Sequence, residues 1–169
     1  MKKLALTLLC GLCLLTAAPV YAQTDDVAAA TAVIKAYYDT SIKGDVKASM
    51  EYMTATYRAE TEELLASTDG LMELGVLLLK RSEYEIISVK PQDQNMIAII
   101  NVTTPDMDHI FLKASEDINA DVSDEEFTRI IIKEASKLVT QQQDFPMTED
   151  EITMVLIKEN GQWKIDEEY

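Results

Sequence analysis

Apolar residues recur at helical steps along the first part of the chain. Val27, Ala30, Ile34, Tyr37/Tyr38 and Ile42 lie three and four residues apart, which puts them on one face of a helix over 25–43. Gly44 suits the left-handed residue that ends such a helix, and Asp45 suits the cap of the next. Val46, Ser49/Met50 and Met53 make the face of that second helix. Composition stays helical from Tyr57 to Lys80, through Leu64/Leu65 and then Leu71, Leu74 and Leu78, with a break at Ser67-Thr68-Asp69-Gly70.

The period then shortens. Glu83 to Lys90 is rich in Ile, Val and Tyr and stops at Pro91, which has no ladder donor. Met96 to Thr103 follows a polar turn and is apolar on both faces, as expected of a central strand with helices on one side. Met107, Ile110/Phe111, Ala114 and Ile118 return to helical spacing. Ser123 and Glu126 form a capping box ahead of a helix over 124–140. The chain closes with a hairpin: Glu151 to Lys158, the Asn160-Gly161 turn, then Gln162 to Asp166. Helices first and antiparallel strands after them predict an α+β fold, with a helical insert before the C-terminal hairpin. No repeat or linker divides residues 23–169, which are expected to form one domain.

Residues 1–22 are expected to be a signal peptide. Lys2 and Lys3 precede an apolar run from Leu4 to Ala18, and Val20-Tyr21-Ala22 is a cleavage-like end. The run is too short for the roughly 20 residues that cross a bilayer. Cleavage after Ala22 removes Cys10 and Cys13, so the exported protein would have no thiol for a disulfide, zinc or nucleophilic chemistry. The expected location is periplasmic or secreted, without a stable membrane anchor. A net charge of −15, from 30 acidic and 15 basic residues, argues against nucleic acid as a partner.

Two segments carry a resemblance. Val33-Ile34-Lys35-Ala36-Tyr37-Tyr38-Asp39 through Lys43-Gly44-Asp45, then Met50 to Met53, resembles the opening helix pair of the nuclear-transport-factor-like (ketosteroid-isomerase-like, cystatin-like cone) superfamily. Val155 to Ile165 resembles its closing hairpin, most of all in that superfamily's small exported bacterial proteins of unknown function. The resemblance implies a curved antiparallel sheet wrapped around the N-terminal helices as a cone. It also implies an internal pocket and a homodimer formed through the open face of the sheet. The helical insert at 106–140 departs from the usual connection and could cover either the pocket mouth or that face.

The same resemblance puts Tyr37 or Tyr38 where the isomerase branch has a hydrogen-bonding tyrosine. No acid accompanies it in the strands as read: Met96 to Thr103 has none, and Ile152 to Ile157 offers only Thr153. The hollow is therefore expected to lack ionisable groups, with Glu83 and Glu85 on a solvated face. Tyr37, Tyr38 and Trp163 are the candidate ligand-binding residues, and no catalytic residue is assigned. His109 stands alone, and the acids beside it suit a helix start. Asp117-Ile118-Asn119-Ala120-Asp121 opens like a calcium loop but has Val122 where Gly is needed and Thr128 where a bidentate Glu is needed. No metal or cofactor is expected. The leading expectation is a non-enzymatic binding or interaction module for a small apolar ligand or a protein partner. The alternative is an isomerase, dehydratase or hydrolase that uses a pocket tyrosine with a carboxylate not located in the sequence.

Overall fold

The computed structural model describes residues 19–67, 70–116, 118, 123–141 and 144–169. Residues 1–18, most of the expected signal peptide, and the calcium-loop-like segment 117–121 apart from Ile118, lie outside them.

The first helix, α1 (Pro19–Ile42), ends at Gly44, whose φ of +85° is the left-handed value that glycine adopts without strain. The Asp45 side chain then accepts the Ala48 N–H at 3.1 Å and caps the short α2 (Val46–Ser49). A 3-10 turn over Met50–Tyr52 and an extended Met53 lead through Thr54 into α3 (Ala55–Ser67) and α4 (Leu71–Leu79). Strands β1 (Glu83–Gln92) and β2 (Asn95–Pro105) form a hairpin. Next come α5 (Met107–Ser115), which Asp106 caps by accepting the His109 N–H at 3.0 Å, and α6 (Asp124–Gln141), whose Glu126 N–H bonds the Ser123 hydroxyl. The closing hairpin is β3 (Met147–Glu159) and β4 (Gln162–Glu168) around Asn160-Gly161, both at positive φ. The fold is α+β, as the order of elements predicts, with its helical insert ahead of β3.

All strand pairs are antiparallel in the order β1-β2-β3-β4, so β2 is interior. Its side chains alternate from Asn95 to Thr103: Met96, Ala98, Ile100 and Val102 are buried, while Ile97 and Ile99 on the other face are partly covered. The buried row meets Ala30, Ile34 and Tyr38 of α1, and Met154, Leu156, Trp163 and Ile165 complete this cluster. Burying each large side chain contributes about 1.5–3 kcal/mol.

A second apolar cluster lies among the helices. Leu74 of α4, Ile110 and Ala114 of α5, and Ile132, Ala135 and Val139 of α6 pack together. The insert thus folds against α4, and Glu83 and Glu85 remain exposed on β1.

Candidate functional site

The hairpin continues two residues past its expected end at Asp166, and that difference creates the site. Ile165 pairs with Leu156, but Glu167 pairs with Val155 and Glu168 with Met154, leaving Asp166 as an extra residue in a bulge. Simple alternation would send Glu167 to the face that holds Trp163 and Ile165. The bulge sends Glu168 there instead, opposite the buried Met154. The expectation of an interior without ionisable groups is therefore corrected: Glu168 brings a carboxyl to the edge of the main core. Backbone bonds between Tyr169 and Thr153, at 2.7 and 2.9 Å, hold the strand beyond it.

Thr54 fixes the bulge from outside the sheet. Its N–H donates to the Ile165 carbonyl at 2.7 Å, and its hydroxyl donates to Asp166 Oδ1 at 3.0 Å. The same hydroxyl accepts the Tyr57 N–H at 3.2 Å, making Thr54 the cap of α3. One residue therefore sets both the phase of β4 and the start of the helix that carries Tyr57.

Three tyrosines lie close enough to the carboxyl to feel its charge. Tyr37 and Tyr38 come from α1 and Tyr57 from α3, and each hydroxyl is electrostatically coupled to Glu168. Tyr38 is wedged in the core, edge-on to Tyr37 at 5.1 Å and stacked on Tyr84 at 4.7 Å. Tyr84 in turn donates its hydroxyl proton to Asp39 Oδ1 at 2.7 Å. Tyr37, Tyr57 and Glu168 are only partly covered, so the cluster sits at the rim of the core.

Burial raises the Glu168 pKa to about 7, and the nearby Tyr37 hydroxyl opposes that rise. Its Oε1 is buried and has no hydrogen-bond partner. Burial, and then the charge of Glu168, hold the Tyr37 and Tyr38 hydroxyls far above their usual range and push Tyr57 up to about 12. Near neutral pH the carboxyl thus exchanges between acid and carboxylate, while the hydroxyls around it stay protonated. Such a group can donate, accept or transfer a proton.

Trp163 lies elsewhere. It is buried, and its Nε1–H donates to Asp26 Oδ1 at 3.1 Å, while Lys158 reaches the same oxygen at 2.7 Å and lies over the indole. Those bonds to Lys158 and Trp163 lower the Asp26 pKa. Tyr37 is about 16 Å further along α1 at 1.5 Å per residue. The structure thus brings Tyr37 and Tyr38 together with Glu168, and leaves Trp163 as a clip between the start of α1 and the hairpin. Sequence reasoning missed Glu168 and Tyr57. Among the described residues, no group of three His, Cys, Asp or Glu side chains could hold a metal. The chain matches no family model, no curated protein and no solved structure at a significant level.

Proposed function

We propose that this chain binds a small, largely apolar molecule carrying a carbonyl or hydroxyl oxygen, received where Glu168 meets Tyr37, Tyr38 and Tyr57. The observation that carries this reading is the unpartnered, buried Oε1 of Glu168. A buried polar atom left without a partner costs about 1–3 kcal/mol, and a ligand oxygen or hydroxyl would recover it. The surrounding tyrosines supply apolar ring surface and further O–H groups, a combination suited to an apolar body with one polar end. α3 is the natural route of access, because it buries none of its residues in the core.

The test uses 2-naphthol and naphthalene, which differ by one hydroxyl. Wild-type protein is expected to bind 2-naphthol about tenfold more tightly, roughly 1.4 kcal/mol, and Glu168→Leu is expected to remove that preference. Equal binding of the two compounds, or a preference that survives in Glu168→Leu, overturns the reading.

The raised pKa of Glu168 favours a second reading, in which the same carboxyl moves a proton to or from a bound carbonyl compound. It predicts that the protein accelerates deuterium uptake at the α-carbon of cyclohexanone, and that Glu168→Gln abolishes the acceleration. No acceleration by wild-type protein removes this reading and leaves binding.

A further inference from the structure

In a chain of net charge −15, three of the 15 basic residues stand in one row on α6. Arg129, Lys133 and Lys137 are spaced four residues apart, so their side chains rise about 6 Å per step along one face. They line a groove of about 410 Å³ between α6 and the start of α4. Arg129 is held only loosely by Glu126, at 3.9 Å, and Lys137 is paired with Glu134 at 2.6 Å. Lys133 makes no ion pair with the described residues and is exposed.

The opposite wall adds to this field. α4 begins at Gly70, which has no side chain to satisfy the first-turn amides. Gly70 is at φ +81°, and a Cβ there would come within 3.2 Å of the Ile132 side chain, so the start of α4 lies directly against α6. The positive end of the helix dipole therefore faces the same groove. Among the described residues, Glu73 is the one carboxylate in the lining, against three cations, and Ser136 and Thr140 contribute hydroxyls.

We infer that this groove binds a small multivalent oxyanion, phosphate- or carboxylate-bearing, whose charged groups bridge successive cations of α6. The whole-molecule charge repels anions at long range, so recognition depends on the local row and on an anion that engages two or three cations at once. The site is separate from the Glu168 cluster and stands whether or not that cluster binds a ligand.

Tripolyphosphate and citrate are the probes, titrated calorimetrically into the full chain at constant ionic strength. The expected result is saturable one-to-one binding of at least one of them, and whichever binds more tightly identifies the anionic group. Lys133→Gln is expected to weaken that binding about tenfold, while Lys47→Gln, an exposed lysine on α2, leaves it unchanged. Absence of saturable binding by both probes overturns the inference. So does equal weakening by the two substitutions, which would assign the effect to overall charge.

Discussion

Glu168 illustrates how one residue's surroundings become a property of the whole protein. Its pKa is about 7 in the folded chain, and the ordinary value of 4.5 applies when it is unfolded. Between those values the folded state binds the extra proton, so stability falls as pH rises from about 4.5 through 7. At 1.36 kcal/mol per pKa unit the loss is at most about 3 kcal/mol. Glu168→Gln removes the titration. The variant should match wild type near pH 4.5 and exceed it at pH 8 by up to about 3 kcal/mol in urea unfolding, with the other acids acting alike in both proteins. Stability curves that stay parallel across this range would show that Glu168 does not titrate as described. Tyr37→Phe tests the opposing contribution: without the hydroxyl that favours the carboxylate, the wild-type midpoint should move to higher pH.

At the scale of elements, Thr54 joins parts of the chain that the sequence keeps far apart. Thr54→Ala removes the α3 cap and the bond to Asp166, and should cost about 1–2 kcal/mol by chemical denaturation. Hydrogen exchange should also quicken in α3 and at the end of β4 together; quickening confined to α3 would mean that the bulge stands without Thr54. This coupling also explains what the sequence did and did not reveal. Helix faces, the Asp45 and Ser123 caps, the glycine after α1 and the Asn160-Gly161 hairpin are encoded within a few residues, and they could be read. The two α1 tyrosines were also legible as candidates. The phase of β4 depends on a threonine 112 positions away in the chain. Asp166-Glu167-Glu168 reads locally as a solvated acidic end, and alternation from Trp163 and Ile165 points to the wrong glutamate. Tyr57 reads locally only as the start of a helical stretch, because its role follows from where Glu168 goes.

For the molecule as a whole, two apolar clusters share one chain. One joins α1 to the sheet, and the other joins α4, α5 and α6, with α4 touching α1 and β2 between them. Among the described residues the helical cluster contains fewer that are fully buried, so it should be the first to give way on heating. A calorimetric trace should then be broader than a single all-or-none transition, with a van't Hoff enthalpy below the calorimetric one. Equality of the two enthalpies would mean that both clusters melt as a unit. Trp163, the lone indole, belongs to the sheet-side cluster, so its emission works as a built-in thermometer for that half alone. Warming should therefore pass through a half-melted form in which the lysine-lined trough is gone while the acid and its tyrosines stay assembled.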